Sequence, residues 1–204
     1  MMSARGDRDA HVLVTGFGPF ADVRVNASGV VATSLDGAVV GGVGVRGVVL
    51  PTAFGEARAT IAGLAQHEAC VGAVALGVWR GNEVRLERRA RGIVTSEHAD
   101  VRGEVWLGRE LGAEMTTTVP IDEWAEAVGS WVSEDCGGYV CNAVYQALLE
   151  AIAGRSRAPR GAGRQAVFMH VPRDVGVRGV AATRAMVHAV VERVARMSGA
   201  DHAR

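Results

Sequence analysis

Residues 11–20 read His11-Val12-Leu13-Val14-Thr15-Gly16-Phe17-Gly18-Pro19-Phe20. The apolar run from His11 to Thr15, closed by Gly16, is the pattern of a short strand buried on both faces. Working outward, similar glycine-bounded or apolar runs recur at Cys70 to Leu76 and Gln165 to Val171. Val39 to Leu50 is β-branched and punctuated by glycines, a strand or hairpin. Glu83 to Val94 alternates apolar and charged residues with lapses and reads as a strand, and Trp131 to Ser133 as a short extended piece. Helical periodicity lies between them. Ser28 is placed to cap a helix running to Leu35 and closed by Gly37, Thr52 one through Phe54, Ala57, Ile61 and Leu64, and Asp122 one to Val128. Longer periodic segments span Tyr139 to Ile152 and Gly179 to Met197. Strands alternating with helices predict an α/β fold, a single-domain three-layer α/β/α architecture with a mainly parallel, twisted central sheet. Functional groups in such sheets collect at the carboxyl ends of strands.

Composition narrows the chemistry. The chain has 204 residues and equal numbers of basic and acidic side chains, 22 of each. All the basic ones are arginine, and without lysine there is no Schiff-base chemistry and no phosphate loop that relies on a lysine. Zero net charge offers no basic surplus for nucleic acid. No long apolar run suggests a membrane span, and no apolar stretch follows the charged first ten residues as a signal peptide requires, so a cytoplasmic location is expected. No repeat or linker divides the chain. Residues 1–9 are expected to be a flexible N-terminus, and Gly154 to Arg164 a loop. Three cysteines, Cys70, Cys136 and Cys141, form no CxxC pair, so neither a disulfide framework nor a zinc site is suggested.

Reactive residue types sit where strands end and a helix begins. Gly16-Phe17-Gly18 could begin a dinucleotide fingerprint, but Pro19 and Phe20 follow and the third glycine is missing. The two phenylalanines fit an apolar wall, or the core. Asp135-Cys136-Gly137-Gly138-Tyr139-Val140-Cys141-Asn142 runs from a glycine turn into an apolar helix. Cys141 then falls in the first turn, where unpaired N–H groups and the helix dipole stabilise a thiolate. A small buried hydrophobe is the alternative reading for each cysteine. His170, in Phe168-Met169-His170-Val171-Pro172, ends a strand at the same sheet edge. Glu87, in Leu86-Glu87-Arg88-Arg89-Ala90, is an acid within a strand pattern, and spacing does not say whether it faces His170 or pairs with a neighbouring arginine.

Together these segments resemble the pyroglutamyl peptidase I family, the pyrrolidone-carboxylate peptidases, which are cysteine peptidases. Residues 12–28, VLVTGFGPFADVRVNAS, are similar to the family's TGF-x-PF opening and the VNPS-like stretch after it. Glu87-Arg88-Arg89-Ala90-Arg91-Gly92 fits the surroundings of the catalytic acid, Gly137 to Asn142 those of the nucleophile, and Phe168 to Pro172 those of the histidine. The resemblance implies that Cys141 is the nucleophile, His170 the general base and acid, and Glu87 the group that orients the imidazole. It implies oxyanion donors at the start of the Cys141 helix and near Gly81. It also implies a pyroglutamyl pocket drawing on Phe17, Phe20, Asn26 and Val140. No metal or cofactor is implied; the expected partners are peptides with an N-terminal pyroglutamate, and the expected state is a homo-oligomer, commonly a tetramer.

The chain departs from the family in named places. Gly77-Val78-Trp79-Arg80-Gly81-Asn82 stands where GQ-x-GGR is usual, so Val78 replaces a glutamine. Ala27 replaces a proline, Asp100-Val101-Arg102-Gly103 stands for DN-x-G, and Cys136 for an alanine. Two other readings follow. One is a thiol amidase or peptidase of the same fold with a changed acyl preference. The other is a non-catalytic α/β ligand-binding domain. Oxidation would join Cys136 to Cys141 if the loop permits disulfide geometry.

Overall fold

The computed structural model describes residues 10–154, 163–174 and 176–198. The N-terminal stretch 1–9 and most of the expected loop from Gly154 to Arg164 lie outside the described residues. Nine strands and five helices are described: β1 His11–Phe17, α1 Ala27–Leu35, β2 Val39–Val40, β3 Val43–Leu50, α2 Phe54–Gln66, β4 Cys70–Trp79, β5 Arg85–Glu87, β6 Arg89–Ala90, β7 Met115–Thr116, α3 Ile121–Val128, β8 Trp131–Ser133, α4 Val140–Ala153, β9 Gln165–Pro172 and α5 Val177–Met197.

Seven strands make one sheet in the order β2-β3-β1-β4-β9-β5-β8. Strands β3, β1, β4 and β9 run parallel, which sets their carboxyl ends along one edge. β2 turns back on β3 as a hairpin, and β5 is antiparallel to β9 while parallel to β8. The sheet is therefore mixed but mainly parallel.

Side-chain alternation sorts the core into two layers. Leu13 and Phe17 of β1 and Phe168 of β9 pack with α2 and α4. Val12 and Val14 of β1 and Val167 and Met169 of β9 pack with α1, α3 and α5. Burial on both faces explains the absence of a polar stripe in β1 and β9. Among the described residues no helix is long and apolar enough to cross a membrane.

Gly16 supports the sheet rather than a nucleotide. A Cβ there would lie 2.2 Å from the Ser28 carbonyl oxygen, and one on Gly29 would lie 2.4 Å from the Phe17 carbonyl oxygen. α1 thus meets β1 backbone to backbone, a contact that a larger residue at either position would push apart.

Three helix caps differ from the sequence expectation. Asn26, not Ser28, caps α1: its Oδ1 accepts the Ser28 N–H at 3.1 Å. Ser28 instead accepts the Phe17 N–H through its hydroxyl at 3.0 Å. Thr52 donates to the Gly18 carbonyl at 3.2 Å and leaves α2 to Asp100, which accepts the Phe54 N–H at 2.8 Å. Asp122 lies inside the first turn of α3, after Pro120 at the cap position. The expected strand from Glu83 to Val94 is also divided. β5 belongs to the main sheet, whereas β6 pairs with β7 in a separate two-stranded sheet. The break falls at Arg88, whose guanidinium turns out to Asp122 and Glu134.

Candidate active site

Strand register assembles the polar groups. His170 on β9 stands opposite Gly77 of β4 and opposite Arg85 of β5. Glu87, two residues along β5 from Arg85, shares its face of the sheet. Its Oε1 lies 2.7 Å from His170 Nδ1, with Glu87 only 1% and His170 8% exposed. Glu87 Oε2 is buried with no hydrogen-bond partner among the described residues. The imidazole is therefore the carboxylate's main compensation, because a buried charge is costly unless paired. Burial alone would push the His170 imidazole down. Its interactions with the Cys141 and Glu87 side chains outweigh that and raise it to about 9.

Cys141 arrives from the opposite side of the cleft, as the second residue of α4. The cap residue Tyr139 makes no side-chain hydrogen bond to the helix start, which leaves first-turn N–H groups without a side-chain acceptor. A Cβ at Gly77 would lie 2.8 Å from Cys141 Sγ and 2.9 Å from the Phe168 ring. Glycine at this position admits the thiol to the sheet edge beside His170. Phe168 in turn stacks obliquely on the imidazole, with ring centroids 5.0 Å apart.

Two buried residues of α4 that sequence reading left without a role hold this arrangement. Asn142 accepts the Arg91 N–H at 2.7 Å and donates to the carbonyls of Arg91 and Ile93 at 3.1 and 3.2 Å. Tyr145 donates its hydroxyl to the Glu87 carbonyl at 2.8 Å. The thiol-bearing helix is thereby tied to β5 and to the segment that follows it. The available signal was a polar side chain next to Cys141 in an otherwise apolar helix, since a buried amide must find partners.

A cleft of about 660 Å³ opens above Cys141 and His170. Phe17, Phe20, Asn26, Val78 and Tyr139 are among its walls. Phe20 and Tyr139 approach with centroids 6.3 Å apart, and Tyr139 meets Phe54 edge-on at 5.2 Å. Asn26 reaches the wall while its Nδ2 donates to the Gly18 carbonyl at 2.9 Å. Val140 is placed differently from the pocket role that the resemblance implied: its side chain is fully buried in the core beneath the cleft. Gly81 also lies off the wall, folded under Trp79 so that a Cβ would come 1.8 Å from the indole. Among the described residues no group of three or more His, Cys, Asp or Glu is arranged to hold a metal ion.

The three cysteines separate by environment, and all are free. Burial pushes the Cys70 thiol up. Burial also raises Cys136 well above the usual thiol range, reinforced by the charges of Glu87, Cys141 and Asp135. Both therefore stay protonated near neutrality. Only Cys141 is partly exposed, on the cleft wall.

Comparison with known proteins identifies the family and the fold. A family model described as pyroglutamyl peptidase matches residues 10–177. A pyrrolidone-carboxylate peptidase from Pseudomonas fluorescens is 34% identical over 173 residues, covering 79% of this chain and 78% of the relative. One from Cupriavidus pinatubonensis is 32% identical over 171 residues, covering 79% and 77%. The crystal structure of Bacillus amyloliquefaciens pyroglutamyl peptidase I has the same fold. It superposes with a TM-score of 0.81 at 21% identity, covering 92% of this chain and 97% of that one.

Proposed function

This chain belongs to the pyroglutamyl peptidase family of cysteine peptidases, and from that premise we propose that Cys141, His170 and Glu87 form its catalytic triad and act on peptides that begin with pyroglutamate. The observation that carries the reading is the buried Glu87–His170 pair at 2.7 Å, facing a partly exposed cysteine at a helix start. In this reading the Cys141 thiolate attacks the pyroglutamyl carbonyl, and N–H groups of the first turn of α4 receive the oxyanion. The His170 imidazolium then protonates the leaving amine. Water, deprotonated by the neutral imidazole, hydrolyses the thioester and restores the thiol pair. Glu87 holds the Nδ1 side of the ring throughout.

Phe17 and Phe20 supply apolar walls suited to an uncharged lactam ring, with Asn26 at the edge. The whole chain acts as one peptidase domain and works in the cytoplasm, where thiols are kept reduced. The homo-oligomer implied by the resemblance is read out by light scattering. The non-catalytic reading is set aside by membership of a peptidase family. A changed acyl preference keeps one specific support, that Val78 lines the cleft and offers no hydrogen bond to a lactam.

The test is a pyroglutamyl amide with a chromophoric leaving group, offered beside other acyl amides. Wild type is expected to turn over the pyroglutamyl compound, and Cys141→Ala to lose at least about a thousandfold in kcat. Cleavage of another acyl amide instead would sink the pyroglutamyl specificity and leave the thiol mechanism. Full activity in Cys141→Ala would remove the proposed nucleophile.

A further inference from the structure

The side of the cleft that receives the leaving peptide carries two arginines, Arg80 and Arg85. A general acid must stand beside the nitrogen that it protonates. If His170 is that acid, the peptide after the scissile bond leaves past His170 and away from Phe17 and Phe20. The neighbours there are set by register: Gly77 to Trp79 on β4, and Arg85 directly across on β5.

Charges on the cleft wall are mostly compensated. Asp22 pairs with Arg173 at 2.6 Å, Asp135 pairs with Arg91, and Glu87 pairs with His170. Arg80 and Arg85 also line the cleft, and neither makes a direct ion pair among the described residues; Arg80 acts on Asp22 only at longer range, Asp22 being paired directly with Arg173. Arg85 sits over Trp79, its guanidinium carbon 3.2 Å from the ring centroid. The indole is itself held by a hydrogen bond from Nε1 to the Glu83 carbonyl at 2.7 Å and by Gly81 folded beneath it. Trp79 and Arg85 thus form a fixed platform with an exposed cation, Arg80, at its rim. Arginine presents planar donors matched to a carboxylate, and stacking on an aromatic ring pre-orients them.

Resting on the pyroglutamyl reading, we propose that Arg80, with Arg85 on the Trp79 platform, is a specificity determinant for the leaving peptide and selects substrates that place a carboxylate just after the pyroglutamyl residue. That carboxylate comes either from an acidic second side chain or from the free C-terminus of a dipeptide. Pyroglutamate contributes no ammonium charge of its own. The carboxylate is then the dominant charge that such a substrate brings to the cleft.

The test compares kcat/KM for pyroglutamyl-glutamate amide, pyroglutamyl-alanine as free acid, pyroglutamyl-alanine amide and pyroglutamyl-lysine amide at low salt. One or both carboxylate substrates are expected to exceed the neutral amide by roughly fivefold, mainly through KM, with the lysine peptide lowest. Which of the two gains identifies the source of the carboxylate. The preference is expected to fade in about 1 M salt, where screening acts within a few ångströms. Arg80→Gln brings the acidic-to-neutral ratio towards one, and Arg80→Glu inverts it in favour of lysine, which lost folding alone would not do. Arg46→Gln, exposed on β3, leaves the ratio unchanged. Equal kcat/KM across the series, or a preference that survives Arg80→Gln, overturns the proposal while cleavage of the neutral amide keeps the pyroglutamyl reading. If no pyroglutamyl compound is cleaved, both fall.

Discussion

His170 is protonated near neutrality because two acceptors outweigh its burial, and this sets the pH behaviour of the site. The imidazolium needed to protonate the leaving amine is lost as pH rises through about 9, so kcat/KM is expected to fall on that alkaline side. Glu87→Gln keeps the shape but removes one stabilising charge. Its alkaline limb is expected to move down towards the ordinary histidine range, with turnover reduced by about 10²- to 10⁴-fold. A pH–rate profile of the two proteins checks both statements, and an unmoved limb would separate Glu87 from the imidazole. Gly77 makes a steric case. Gly77→Ala places a methyl 2.8 Å from Cys141 Sγ and 2.9 Å from Phe168, so the thiol or the ring must shift. Overpacking of this kind costs about 1–3 kcal/mol, and single-turnover kinetics are expected to show a slower acylation step.

At the scale of elements, the site depends on where α4 and α2 begin. Asn142, itself fully buried, ties the start of α4 to residues 91–93 through three hydrogen bonds. Asn142→Ala removes these three hydrogen bonds, each with a net contribution of about 0.5–1.5 kcal/mol. The expected result is a lower Tm together with slower alkylation of Cys141 in the protein that remains folded. Asp100 caps α2 from 46 residues away in sequence. Burial would raise its carboxyl, but the N–H groups of Phe54, Glu104 and Arg102 outweigh burial and hold it below the usual range. Asp100→Ala is expected to cost about 1–2 kcal/mol near neutrality. A denaturant titration checks it, and the difference from wild type should shrink in acid, where Asp100 itself becomes protonated.

Across the whole molecule these groups shape stability against pH in opposite directions. Asp100, Asp22 and Asp122 are all depressed, so their contribution is present above an unfolded carboxyl value of about 3.9 and is lost as pH falls through the folded values. His170 is raised, so its contribution is complete below an unfolded value of about 6.5 and is lost as pH climbs to about 9. Stability is therefore expected to be greatest between about pH 5 and 6.5. Calorimetric Tm values rising steadily from pH 7 to 9 would contradict the His170 assignment.

The order of strands and helices, the two-face burial of β1 and β9 and the placement of Cys141 in a first turn were legible in the chain. Each depends on local periodicity or on a glycine turn within a few residues. The cap at Asn26 was not, because the rival hydroxyl of Ser28 is taken by the distant Phe17 N–H; nor were the Asp100 cap and the division of β5 from β6, whose partners lie elsewhere in the fold. The catalytic residue types could also be named from short motifs. That Glu87 meets His170 was decided only by tertiary structure: an antiparallel register joins residues 83 apart in sequence and turns both side chains to one face. The same packing buried Val140, set Arg85 on Trp79 and left Arg80 at the rim of the cleft. A sequence carries its own periodicity, but which side chains share a buried volume depends on how distant strands pair.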